Sequence, residues 1–339
     1  MKVAIFSTKY YEKEYLDHAN LENKHDLTYF EESLNIHTVS LAAGYEAVSV
    51  MLLDDISEET IEALSLLGTK VITLRSAGFD NVDLEAAEKF HMKVMRVPAY
   101  SPQAIAEHAV ALIQTLNRKT HKAYNRVREN NFSIENLMGF NLFGKTVGVV
   151  GTGKIGRAFC NIMLGFGCKI VAYDIKENLE MKLKGVEYKS FELLLLESDI
   201  ISIHCPLTDD TRHLFNKTAF DLMLKGTMLI NTSRGAVINT LDAIEALKDG
   251  HLGFLGIDVY EGEEKIFFKD LSDTVVKDDT IERLMSFNNV LITPHLAFFT
   301  NEAVRQIAEI TLQNISDFER EPTSRNEIII NLKKTIIEI

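Results

Sequence analysis

The chain is poor in the residues that mark special environments. Its 339 residues include five prolines, three cysteines and no tryptophan. With 46% hydrophobic and 25% charged residues, it has the composition of an ordinary soluble globular protein. No uninterrupted apolar stretch approaches the length that spans a bilayer, which excludes a membrane-embedded reading. The opening MKVAIFSTKYYEKEY turns charged too early for a secretory signal and reads instead as a first strand. The three cysteines, Cys160, Cys168 and Cys205, lack metal-ligand spacing, so no metal is expected and reduced cytoplasmic thiols are. Positive charge is also scarce: 36 Lys and Arg stand against 49 Asp and Glu, a net charge of -13. That balance argues against nucleic acid or an anionic membrane as partner. An anionic substrate would have to be held by a local cation working against the overall field.

What is present is organised around residues 145–174, KTVGVVGTGKIGRAFCNIMLGFGCKIVAYD. An apolar run of strand type is followed by Gly151, Gly153 and Gly156 in G-x-G-x-x-G spacing. A helical pattern and a second strand ending on Asp174 come next. A dinucleotide needs these parts in this order. Gly151 permits a tight turn, Gly153 lets backbone N–H groups approach a pyrophosphate, and Gly156 lets helix and strand pack closely. Asp174 can accept from ribose hydroxyls.

A chain of this length predicts two domains. Strand signals at 3–7, 27–30, 46–53, 71–74 and 94–97 alternate with helical patterns at 11–19 and 57–67. This rhythm implies a parallel sheet with helices on its faces. Loops 52–55, 76–80 and 98–100 follow strands and are expected to look toward a partner domain. Pro98 to Pro102 marks a boundary. The helical stretch 104–118 after it is apolar enough to suggest packing between domains or subunits. Further strands are expected at 200–204, 227–231, 254–259 and 290–293, and a final helix at 298–318 returning to the first domain.

The ends of those later strands carry chemistry. They deliver His204-Cys205-Pro206, Asn231-Thr232-Ser233-Arg234-Gly235, Asp258 with Glu261 and Glu263, and Thr293-Pro294-His295 to the edge holding the glycine turn. An arginine can clamp a carboxylate with two hydrogen bonds. A histidine exchanges a proton near neutral pH, and a neighbouring carboxylate orients it and favours its charged form. Taken singly, Arg234 is as readily a surface ion-pair partner, His295 a satisfied loop histidine, Glu263 one acid of a solvated run and Cys205 a packing residue. Their convergence on one edge favours hydride transfer to a carbonyl.

With these residues in order, the chain resembles the D-isomer-specific 2-hydroxyacid dehydrogenases, closest to their bacterial fermentative D-lactate branch. The resemblance runs along essentially the whole length. It also rests on Arg75-Ser76-Ala77-Gly78-Phe79-Asp80-Asn81-Val82-Asp83, on Val97-Pro98-Ala99-Tyr100-Ser101-Pro102, and on Ala106-Glu107-His108-Ala109. It implies two doubly wound parallel-sheet α/β domains: a Rossmann NAD-binding domain over 101–298 and a flavodoxin-like substrate domain over 1–100 plus 299–339. It implies reversible NADH-dependent reduction of pyruvate to D-lactate, with Arg234 binding the substrate carboxylate, His295 exchanging the proton and Glu263 pairing with it. Gly151, Gly153, Lys154, Ile155, Gly156, Asp174, Cys205, Pro206, Thr211, Thr232, Ser233 and Asp258 match the NAD pocket. Ala77, Gly78, Tyr100 and Phe298 match the substrate wall, with closure about Pro98 and Leu296 expelling water. Asp174 favours NAD, although Lys176 would tolerate a 2′-phosphate. The long charged stretch 264–279 resembles the D-lactate branch, and Glu263 stands where formate dehydrogenases carry glutamine. A larger 2-keto acid is the alternative substrate, and an NAD(H)-sensing regulatory protein the alternative class. A cytoplasmic homodimer or homotetramer is expected.

Overall fold

The computed structural model describes residues 1–21, 24–321 and 325–329. The chain forms two compact units, Met1–Ser101 with Phe298–Ile339, and Pro102–Ala297. Residues 322–324 and 330–339, which the sequence reading assigns to the substrate domain, lie outside the described residues.

In the first unit, β1 (Lys2–Ile5), α1 (Tyr10–Ala19), β2 (Asp26–Tyr29), β3 (Ala47–Val50), α2 (Glu58–Leu66), β4 (Val71–Leu74), α3 (Leu84–Lys89) and β5 (Lys93–Arg96) follow one another. The five strands are parallel in the order β2-β1-β3-β4-β5, the flavodoxin-like arrangement. Strands β3 and β4, AVSV and VITL, are buried at every position, as a parallel sheet covered on both faces requires. Ser57 caps α2 by backbone geometry alone, with no side-chain cap bond.

The second unit opens with α4 (Pro102–Arg118) and α5 (Thr120–Arg128), broken by Lys119 in the left-handed region at φ +50°. Then come β6 (Thr146–Val150), α6 (Lys154–Gly165), β7 (Lys169–Tyr173), α7 (Leu179–Leu183), β8 (Glu187–Tyr188) and α8 (Phe191–Glu197). The second half adds β9 (Ile200–Ile203), α9 (Lys217–Leu222), β10 (Thr227–Asn231), α10 (Thr240–Asp249), β11 (Leu252–Ile257), α11 (Asp279–Met285) and β12 (Val290–Ile292). The sheet order is β12-β11-β10-β9-β6-β7-β8, all parallel. The order reverses between β6 and β9, which creates the crevice where such sheets bind dinucleotides. The expected doubly wound α/β class, one sheet of each type, is what the chain forms.

Helix α4 packs within the second unit. Ala106, Ala109, Leu112, Ile113 and Leu116 pack with Phe159, Cys160 and Met163 of α6 in one core within the second unit. The exposed apolar side chains lie further on: Tyr124, Phe132, Ile134, Met138 and Phe143. Helix α5 buries none of its residues. Lys119 Nζ donates to the Asn136 and Met138 carbonyls at 2.9 and 3.2 Å, and Arg126 to Glu135 O at 2.7 Å, so cations hold the segment that presents that surface.

The last helix, α12 (Asn301–Arg320), belongs to the first unit. Ala308, Leu312 and Ile315 pack on Val3, Ile5, Ala47 and Val71 of the first sheet.

Candidate active site

The glycine turn joins β6 to α6 at the point where the strand order reverses. Gly151 has φ +94°, and a Cβ there would lie 2.7 Å from the Cys205 nitrogen at the end of β9. A Cβ on Gly156 would lie 2.0 Å from the Gly151 carbonyl oxygen, so the helix approaches the turn as closely as only glycine allows. Helix α6 is capped by Gly153 with no side-chain cap bond and has no acid in its first turn. Its leading N–H groups are therefore left for an anion. Asp174, at the end of β7, accepts at Oδ2 from the Thr152 N–H at 2.5 Å and the Thr152 hydroxyl at 2.9 Å. Its Oδ1 accepts from the Lys176 N–H at 3.0 Å. The Tyr188 hydroxyl donates to Thr152 Oγ1 at 2.9 Å and fixes this corner.

At the end of β9, burial pushes the His204 imidazole down to about 3, so it is neutral, with Nε2 2.9 Å from the Ser202 hydroxyl. Burial pushes the Cys205 thiol up to about 12, which makes it a packing group and not a nucleophile. Thr211 stitches the following turn, donating to Pro206 O at 2.7 Å and accepting from the Thr208 N–H at 2.7 Å.

The end of β10 is shaped by a residue without an assigned role, the fully buried Asn231. Its Oδ1 accepts from the Ser233 N–H and hydroxyl, both at 2.9 Å, and its Nδ2 donates to the Arg234 carbonyl at 2.9 Å. Arg234 Nη1 donates to Ser233 O at 2.8 Å. The buried Thr232 hydroxyl has no hydrogen-bond partner among the described residues. A buried orphan hydroxyl after β10, together with a Gly-rich turn and a helix start without a side-chain cap after β6, is the inventory a dinucleotide would complete, so the residues fit the cofactor.

The ends of β11 and β12 carry the proton chemistry. His295 Nδ1 lies 2.9 Å from Glu263 Oε1, and Glu263 Oε2 accepts from the Tyr260 N–H at 2.9 Å. An ionised carboxylate only accepts, so Nδ1 carries the hydrogen and Nε2 is left to exchange a proton. The two side chains are 12% and 18% exposed, and Phe268 lies 6.0 Å from the imidazole, centroid to centroid. His295 has φ +55°, a conformation its surroundings must impose.

Asp258 imposes it. Its fully buried carboxylate accepts from the Thr293 hydroxyl at 2.5 Å and the N–H groups of Leu296 and Ala297 at 2.9 and 2.8 Å. Its carbonyl accepts from the His295 N–H at 2.8 Å. His108 Nε2, from α4, lies 3.1 Å from the Thr293 hydroxyl and 3.4 Å from the Asp258 carboxylate. Asp258 thus has a use the sequence reading did not give it, since both its oxygens hold the segment that presents His295.

The expected substrate-wall residues lie in the first unit. The Ala77 carbonyl accepts from Arg96 Nη1 and the Gly78 carbonyl from the Ser76 hydroxyl, both at 2.8 Å. Tyr100 meets Phe298 edge-on at 6.1 Å. Arg75 of the same motif is buried scaffold, bonded to Glu12, Ser49 and the Phe6 carbonyl.

Comparison with known proteins gives this geometry its context. The family model for the D-isomer specific 2-hydroxyacid dehydrogenase NAD binding domain matches residues 110–297. The chain is 48% identical over 329 residues to a D-lactate dehydrogenase of Escherichia coli, covering 97% of this chain and 100% of that one. It is 49% identical over 333 residues to 2-hydroxyacid dehydrogenase A of Aspergillus oryzae, covering 97% and 95%. Among solved structures it resembles the apo D-lactate dehydrogenase of Escherichia coli with a TM-score of 0.89, 47% identity and coverage of 97% and 100%. It also resembles a D-lactate dehydrogenase of Aquifex aeolicus complexed with NAD and lactic acid, with a TM-score of 0.84, 34% identity and coverage of 94% and 95%.

Proposed function

Because the chain belongs to the D-isomer specific 2-hydroxyacid dehydrogenases, a family of NAD-dependent enzymes, we propose that it interconverts pyruvate and D-lactate. The observation that carries this reading is the His295–Glu263 pair at 2.9 Å, presented from the carboxyl edge of the sheet that holds the glycine turn. NADH, when bound, would supply the hydride for the keto carbon. Protonated His295 gives its Nε2 proton to the keto oxygen, while Glu263 holds Nδ1 and so fixes the ring. Arg234 binds the substrate carboxylate through its guanidinium, with its backbone anchored by Asn231. In this proposal the second unit is the NAD domain and the first the substrate domain. Gly151, Gly153, Lys154, Ile155 and Gly156 take the pyrophosphate and Asp174 the adenosine ribose. Cys205, Pro206, Thr211, Thr232, Ser233 and Asp258 line the cofactor pocket, Asp258 also holding the 293–297 segment. Ala77, Gly78, Tyr100 and Phe298 form the substrate wall.

Support for a small substrate comes from relatives named D-lactate dehydrogenase at 44–48% identity and from the aromatic pair Tyr100–Phe298. A homo-oligomer and a cytoplasmic location belong to the same proposal. The first is supported by the exposed apolar row from Tyr124 to Phe143, the second by three free, buried cysteines. The test compares NADH oxidation with pyruvate, phenylpyruvate and 2-ketoisocaproate, with chiral analysis of the product. Pyruvate is expected to lead in kcat/KM by roughly tenfold or more, the scale on which pockets separate side chains of different size. His295→Gln is expected to lower pyruvate turnover by at least about a hundredfold. A preference for a larger keto acid would overturn the substrate, and full activity in the variant would overturn the proton donor.

A further inference from the structure

Two residues before Glu263, a second carboxylate on the same strand end holds a second histidine. Glu261 Oε1 lies 2.6 Å from Nε2 of His213, and Glu261 Oε2 accepts from the Thr240 hydroxyl at 3.2 Å. His213 sits in the loop after β9 and is itself in the left-handed region, at φ +52°. A non-glycine residue held there is over-determined by its surroundings.

Those surroundings are the segment that carries Arg234. The His213 N–H donates to Ala236 O at 2.8 Å, the Phe215 N–H to Val237 O at 3.1 Å and the Asn239 N–H to Phe215 O at 3.0 Å. Residues 213–215 therefore run beside 236–239, with Phe215 and Ile238 in parallel register. On the other side, Gly235 is pressed against the β11 loop. A Cβ there would lie 2.2 Å from the Tyr260 carbonyl carbon and 2.4 Å from the Glu261 nitrogen. The segment carrying Arg234 is thus held at Ala236 by residue 213 and at Gly235 by residues 260–261. The imidazole–carboxylate bond joins these two supports.

We infer that His213 and Glu261 form a clasp that sets the direction of Arg234, and that both are positioning residues for the substrate carboxylate. The inference rests on the proposed role of Arg234. The pair lies at the rim, with side chains 37% and 35% exposed, where an ion pair adds little to global stability. Its effect is local. It fixes the backbone from which the guanidinium projects, so that less of the substrate's binding free energy goes into ordering that loop. It also pairs one of the carboxylates that follow β11, in a chain of net charge -13 that must admit an anionic substrate.

The experiment uses full-length protein carrying His213→Ala, His213→Gln or Glu261→Gln. It measures pyruvate KM and kcat, NADH affinity by fluorescence, and thermal midpoint. His213→Ala is expected to raise pyruvate KM roughly threefold to tenfold, on the order of one ordinary hydrogen bond. Turnover and NADH affinity should stay within about twofold of wild type. His213→Gln keeps a donor for Glu261 and is expected to recover most of the loss. An unchanged KM in His213→Ala overturns the clasp, as does a parallel loss of KM, kcat, NADH affinity and thermal midpoint, which would mark general loosening. Arg234→Gln is assayed alongside. If it is inactive while His213→Ala is normal, only the clasp falls; if it keeps wild-type activity, the clamp reading and the clasp both fall.

Discussion

Gly156→Ala puts the glycine turn to a quantitative test. The added methyl would lie 2.0 Å from the Gly151 carbonyl oxygen, about 1.4 Å inside an ordinary contact of 3.4 Å. The obstructing atom is backbone, and Gly151 is itself wedged against the Cys205 nitrogen, so neither partner yields cheaply. The displacement must come from the start of α6. Overpacking of this kind costs on the order of 3 kcal/mol. For a unit of about 200 residues that corresponds to a fall of roughly 6–12 °C in Tm. A shift of about 1 Å also takes the leading N–H groups out of hydrogen-bonding range of a bound phosphate. Each such bond is worth roughly 1.5–3 kcal/mol, so NADH Kd should rise on the order of 10- to 100-fold per bond lost. Calorimetry and NADH fluorescence titration read the two effects. Gly165→Ala is the control: it lies at the end of the same helix, and its Cβ would meet nothing within 4 Å. It should raise stability by roughly 0.5–1 kcal/mol and leave NADH binding unchanged. If Gly156→Ala matched that control in both assays, the account of a turn only glycine can form would be refuted.

Asp258→Asn keeps the size of the side chain but turns an amide donor toward N–H groups that need an acceptor. Losing one charge-assisted bond of the three it accepts should lower pyruvate kcat/KM by roughly tenfold or more, with NADH affinity less affected; wild-type kcat/KM in the variant would remove Asp258 as the anchor of His295. The exposed row Tyr124, Phe132, Ile134, Met138 and Phe143 predicts self-association at micromolar concentration. Sedimentation equilibrium should return a multiple of the 38.3 kDa chain mass, and a monomer would exclude this surface as a self-interface.

Much of the architecture is legible in the sequence because fully buried parallel strands are written as short runs of Val, Ile and Leu. Strands β4 and β10 stand at the residues the pattern predicts, and β5, β9, β11 and β12 within one or two. Helix α5 lies outside the expected elements, because THKAYNRVR offers only Ala123, Tyr124 and Val127 as apolar positions and buries none of them. Helix α4 stands where the apolar pattern predicts it, but that pattern cannot name α6 as the helix it packs on within the unit. At the site, residue types at strand ends pointed to Arg234, Glu263 and His295. The parts that hold them were not visible. Asn231 acts through three local hydrogen bonds of a buried amide, and His108 reaches Thr293 across 185 residues of sequence. Neither spacing nor charge announces such a bond.

The split of the first unit around the second has a consequence for how the chain is made. Its sheet is complete once β5 leaves the ribosome, yet α12 shares with α1 the covering of Val3, Ile5, Ala47 and Val71. Between β5 and α12 lie residues 102–297, the whole of the second unit. At about 5–20 residues per second, that insertion delays α12 by roughly 10–40 s. Throughout that interval the nascent sheet carries an apolar face covered only in part, by Leu16 of α1, while a complete, contiguous unit is free to fold behind it. The order of maturation is thus set by topology: the second unit can close first, and the first unit, although begun earlier, finishes last.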